Sequence, residues 1–326
     1  MSGKKRAMIA AAACVIAGAL LGAAAMARVG FDLNSLSTQR CQSRTIYLTE
    51  AFSDVSIDVG STDVRILPSD DGSCRVVSVE EPDAPNAAEV RGGVLTVADT
   101  ARGGHWYDHI GINFGVEAWP SVTVYLPEGS YGALTCKSAG GDVSVDAGLT
   151  FDRASITAGS GELRFDAAAD GELRLCTASG DIGSDGARAN TLLVETSSGD
   201  VRVTSPDAAQ IELTSASGDL SLSDASLPGM LTAEATSGEV TLTRVKAASA
   251  SIQTASGDVE ARELYASGRL SVKTTSGEID LTHCDGGTLA LESTSGDISV
   301  PPSVLGAGAC GIRTTSGSVS LSICAD

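Results

Sequence analysis

The chain has 326 residues, a formal net charge of −19, 37 glycines and only 4% aromatic residues. That length allows a large buried core and roughly two domains. The acidic balance argues against nucleic acid or an anionic lipid surface as partner, since both need clustered Lys and Arg; it suits a soluble, self-repelling surface.

Lys4, Lys5 and Arg6 precede an uncharged run of 21 residues, Ala7 to Ala27. Such a run spans a bilayer as a helix, and the basic flank stays cytoplasmic. The run is longer than an ordinary signal-peptide core, so residues 1–27 are read as an uncleaved single-pass anchor. A cleaved signal peptide is the alternative, because Ala25-Met26-Ala27 fits a small-x-small cleavage site. Either way residues 28–326 are expected outside the cytoplasm, with 28–44 as a juxtamembrane linker.

Residues 45–133 read as a less regular β region. Val55 to Ile66 alternates like the later repeats and includes their corner. Asp70-Asp71-Gly72 predicts a turn, and Arg75–Val79, Val94–Val97 and Ser121–Leu126 predict strands. Residues 99–120 break the rhythm and gather His105, Trp106, Tyr107, His109 and Trp119. Trp and Tyr often anchor interfaces, so this loop is the candidate interaction spot. Two His four apart suit a metal only on a helix face with a third ligand, and neither is predicted here.

Residues 134–326 repeat. A Ser-Gly-acid unit recurs with the acid at Asp142, Glu162, Asp181, Asp200, Asp219, Glu239, Asp258, Glu278 and Asp297, and Ser318 takes the tenth slot. Eight and six residues before the acid the chain is apolar almost throughout, as in Leu192 and Val194. Directly after it stand Val143, Leu163, Ile182, Val201, Leu220, Val240, Val259, Ile279, Ile298 and Val319. Period-two alternation makes strands, and a period near 20 makes a solenoid. The phase slips by one residue at Gly-acid, which calls for a corner, and the Gly is expected to supply positive φ there. The predicted fold is therefore all-β, a parallel β-solenoid of ~19–20-residue coils behind an N-terminal transmembrane helix. Coils ~4.8 Å apart make a rod of roughly 45–50 Å. An antiparallel sandwich or barrel ranks second, since its strands need no common inward order. Stacked coils also place Lys273 beside Glu292, and Glu292 beside Arg313.

The blocks AFSDVSIDVGSTDVRILPSDDGSCRV and VTVYLPEGSYGALTCKSAGGDVSV, followed by the run of TSSGD-like units, resemble the bacterial "putative adhesin" family of β-strand-repeat proteins, over residues 45–326. The resemblance implies a β-solenoid of the cell envelope, with some relatives linked to envelope stress or to contact with surfaces and antimicrobial peptides. It carries over no catalytic residue.

The acid column invites a Ca²⁺ ladder. One carboxylate and one Ser hydroxyl per coil fall short of the six to eight oxygens Ca²⁺ takes, so the nine acids are read as structural, accepting backbone N–H groups at the corners. Cys136, Cys284, Cys310 and Cys324 fall at inward positions and read as small core residues. Cys41 and Cys74 lie outside the array and are the more plausible disulfide pair. His283 stands alone, with no nucleophile–base pairing near any Ser-Gly unit. No cofactor is implied. The expected function is a non-enzymatic binding or structural module of the envelope, held by its membrane helix and facing an envelope or surface partner. A carbohydrate-active β-helix enzyme and a Ca²⁺-dependent surface protein are the alternatives.

Overall fold

A computed structural model describes residues 41–80, 85–99, 120–300, 310–315 and 319–321, with the single positions 18 and 28. All of the expected membrane segment except Gly18 therefore lies outside the described residues; within them, no helix is long and apolar enough to cross a bilayer.

Nine strands open the chain: β1 (Gln42–Leu48), β2 (Asp54–Val59), β3 (Asp63–Pro68), β4 (Cys74–Glu80), β5 (Asn86–Arg91), β6 (Val94–Asp99), β7 (Ser121–Leu126), β8 (Ser130–Ser138) and β9 (Val143–Val145). From β8 onward a long strand and a short one share each repeat, and every repeat stacks in parallel on the one before. Leu134, Ala154, Leu173, Leu192, Ile211, Leu231, Ala250, Leu270, Leu289 and Cys310 form one row of register partners. Val143, Leu163, Ile182, Val201, Leu220, Val240, Val259, Ile279, Ile298 and Val319 form another. Like residues stack on like because the inward positions hold the same offset from each acid. The core is the space between the two sheets, filled by Leu, Val, Ile and Ala with almost no exposure.

The sandwich reading fails on strand direction. Antiparallel pairs occur among the described residues only near the start of the chain, as β1–β4, β4–β7 and β5–β6. There the order of coils departs from the order of sequence. β2 lies between β6 and β8, and β3 lies between β7 and β9. The outermost coil is thus β6 with β7, and the β2–β3 coil is inserted beneath it. Beyond this coil, β5 closes one sheet and β4 then β1 close the other. Reversing strand direction ends the parallel stack, a standard need of solenoid termini. β1 buries little of itself, and Tyr47 on it is 68% exposed. At the third edge of the first coils, Tyr131 stacks between Phe52 and Phe151 with both ring centroids at 5.8 Å. Its hydroxyl donates to the Pro127 carbonyl at 2.6 Å. Farther along, small residues such as Ala189 and Ala208 fill this edge, and no ring is needed.

Candidate functional site

The Ser-Gly-acid corner is built from three kinds of contact. Asp carboxylates link the coils. Oδ1 of Asp142, Asp181, Asp200, Asp219 and Asp258 accepts the backbone N–H of the next acid in the column, at 2.8–3.0 Å. Asp63 of the inserted coil does the same for Asp142 at 3.0 Å, so it is the column's first member. Every acceptor in these bonds is Asp, whose one-carbon stem suits the spacing between coils. All nine repeat acids are exposed. Like charges at such spacing repel by about 1 kcal/mol per pair even in water's dielectric. A hydrogen bond to a charged group returns a similar amount.

Gly161 before Glu162 has the expected positive φ, 98°, but the later corner glycines do something else. Gly180, Gly199, Gly218, Gly238, Gly257, Gly277 and Gly296 lie outside the left-handed region. A Cβ on any of them would come under 3.0 Å from the carbonyl oxygen of the previous coil's corner Gly. Close approach of backbones, not backbone conformation, selects glycine here. The left-handed turn occurs five residues past the acid instead, at Gly186, Ser205, Asp224, Arg244, Glu263 and His283, with φ from 49° to 70°. Sequence reading missed this second corner because only one of these positions shows a glycine.

Beneath the glycines runs an inward column of hydroxyls. Ser138, Thr177, Thr196, Ser215, Thr254, Thr274 and Ser293 are all buried. Thr274 donates to the Gly257 carbonyl at 3.2 Å, and Ser138 to that of Gly141 at 3.2 Å. A polar lining suits a corner whose carbonyls point along the stack.

The aromatic loop at His105, Trp106, Tyr107, His109 and Trp119 lies outside the described residues. Among the described residues, no group of three His, Cys, Asp or Glu side chains is placed to hold a metal. His283 sits exposed on the second corner.

Cys136 and Cys284 are buried in the core, and burial pushes their thiols up to about 12 and about 11. The expected pairing of Cys41 with Cys74 is wrong. Leu48 lies opposite Cys74, whereas Gln42 lies opposite Glu80, so the two cysteines stand at opposite ends of the β1–β4 ladder. Six residues of strand separate them by about 20 Å, far beyond disulfide reach.

Outward columns form flat faces. Lys273 stands beside Glu292 and Glu292 beside Arg313, as the period requires. The Lys273 Nζ is 3.6 Å from the Glu292 carboxylate. Concavities on this sheet are shallow grooves, one of 260 Å³ and one of 420 Å³.

The family model described as Toastrack DUF4097 matches residues 52–251 and 231–326. Solved structures with a similar course include a "putative adhesin" from Bacteroides fragilis, at 13% identity and TM-score 0.36, covering 87% of this chain and 98% of that one. A "putative lipid binding protein" from Parabacteroides distasonis has 16% identity and TM-score 0.43, with coverage of 87% and 97%. A "putative adhesin" from Parabacteroides merdae has 13% identity and TM-score 0.37, with coverage of 88% and 98%. No curated protein sequence matches the chain.

Proposed function

The chain belongs to the Toastrack DUF4097 family, and from that premise we propose that residues 28–326 act outside the cytoplasm as a non-enzymatic binding module. In this reading the apolar segment 7–27 anchors the chain in the cell membrane, and the partner is a component of the envelope or of a neighbouring surface.

One observation carries the proposal: the described coils present long flat faces of regularly spaced polar side chains, closed at the N-terminal end by reversed strands. Such a face offers the same contact many times over, which favours extended partners. The shallow grooves on it do not enclose a small molecule as a reaction site would. The anchored end leads into β1 at the capped end, so the later coils would be carried away from the membrane.

Capture of envelope components by the full chain tests the reading. Retention of defined envelope material, with no turnover of it, is expected. Turnover of a captured glycan would replace this reading with the β-helix enzyme. Protease accessibility of residues 28–326 on intact cells checks the orientation, and full protection would overturn it.

A further inference from the structure

The long-strand sheet carries a local excess of positive charge in its later coils. Arg269 and Lys273 project from one coil, and Arg313 from the coil two further on. All three are exposed. They line a single groove of 420 Å³ together with Ser271 and Glu292. Among the described residues, only Lys273 of the three has a carboxylate within 4.0 Å, that of Glu292. Cations therefore outnumber acids three to one along this groove, on a chain of net charge −19.

Geometry decides what could use them. Arg269 and Lys273 are four residues apart in one strand, about 13 Å, and Lys273 and Arg313 are two coils apart, about 10 Å. No single phosphate or carboxylate spans those gaps, whereas an extended chain with an anion on every unit does. A second groove of 260 Å³ meets the first at Lys273 and offers Gln253 and Thr275 as neutral hydrogen-bonding groups. Glu234 also borders that second groove, two coils before Lys273, and makes its far side unfavourable to anions. At physiological salt, charges farther than about 8 Å are largely screened, so the acidic remainder of the rod does not cancel a local cationic site.

We propose that this trough binds a linear polyanion, a polymer bearing phosphate or carboxylate groups, with Arg269, Lys273 and Arg313 as the contacts. The proposal rests on the binding-module reading and names its partner class. Arg269 and Arg313 supply planar forks suited to either anion, and Lys273 supplies a point charge that must leave Glu292 or share it.

The test titrates the full chain, in mild detergent, with long-chain inorganic polyphosphate and separately with polygalacturonate. Binding of at least one polymer is expected, weakening between about 50 and 200 mM NaCl. Whichever polymer binds identifies the anion. Reversing the trough (R269E, K273E and R313E together) should weaken binding about tenfold or more. Reversing three exposed arginines on the other sheet (R65E, R164E and R202E) should change it less than about twofold, since they lie outside the trough. Circular dichroism of both triples checks that the coils persist, and single Arg→Gln changes stand in for any triple that does not fold. No binding of either polymer, or equal weakening by both triples, overturns the proposal. If wild type and the trough triple still capture the same envelope material, the binding module survives and only the trough assignment falls. If wild type captures nothing, it is the module reading that fails.

Discussion

Replacing Gly199 by Ala tests the stacking of the corners directly. The new methyl would come under 3.0 Å from the carbonyl of Gly180, a contact that real Cβ atoms do not make. The neighbouring atoms are backbone, so no side chain can swing aside. The coil can yield only by moving away from the previous one. Overpacking of this kind costs about 1–3 kcal/mol. Separation would also strain ladder bonds on either side, such as Ile182 N–H to the Asp200 carbonyl and Val201 N–H to the Asp219 carbonyl, each 2.8 Å. Two weakened bonds add about 0.5–1.5 kcal/mol each. The expected loss is thus about 2–6 kcal/mol. Gly183, two positions past the neighbouring acid, supplies the control. A Cβ there meets nothing within 4 Å, and its φ is not left-handed. Gly183→Ala should be neutral or stabilise by about 0.4–1 kcal/mol through the unfolded chain. Thermal and denaturant melts of both variants decide it. If Gly199→Ala melts with wild type and Gly183→Ala, glycine is not required by close approach, and the account of the corner is wrong.

Other outcomes follow from the same stacked coils. Glu263 is held at φ 58°, so Glu263→Gly should raise the melting midpoint, worth about 1 kcal/mol, while glycine at an ordinary strand position such as Thr241 should lower it. Asp200→Ala removes the acceptor for the Asp219 N–H and should cost about 1 kcal/mol in denaturant melts, with Asp200→Asn retaining most of that. Burial, aided by Asp58, raises the Cys136 thiol from 9.0 to about 12. The unfolded chain therefore gives up this proton first, and stability present below pH 9 should fall as pH rises toward 12, by at most about 1.4 kcal/mol per unit. Cys136→Ala should flatten that slope in melts taken between pH 9 and about 11.

The repeat was legible because one unit writes both its corner and its inward residues in every coil. Nine acids and Ser318, spaced near 20 residues, fixed the register, and Lys273 against Glu292 followed from counting alone. What stayed hidden were features that leave no periodic trace. The second corner is occupied by Ser, Asp, Arg, Glu and His, whose left-handed backbone is forced by the closed coil and not by their own preferences. The insertion of β2–β3 beneath β6–β7 depends on which coil finds which partner, and local pattern does not say. Cys41 and Cys74 looked pairable only because sequence position outside the array says nothing of their place along a ladder. For the site, the cations of the trough were visible singly. Their gathering in one groove needed the stack.

The inserted coil sets the order in which the molecule can assemble. β2 and β3 need partners on both sides, and those partners extend to Val145 at the end of β9. A chain made from its N-terminus onward must therefore hold nearly half its length unclosed before any seed exists. After that, each new stretch of about twenty residues meets a finished template and docks by local contacts, a step that is fast for short loops. Changes in the opening region should then alter how quickly the protein forms, and changes in later coils mainly how long it lasts.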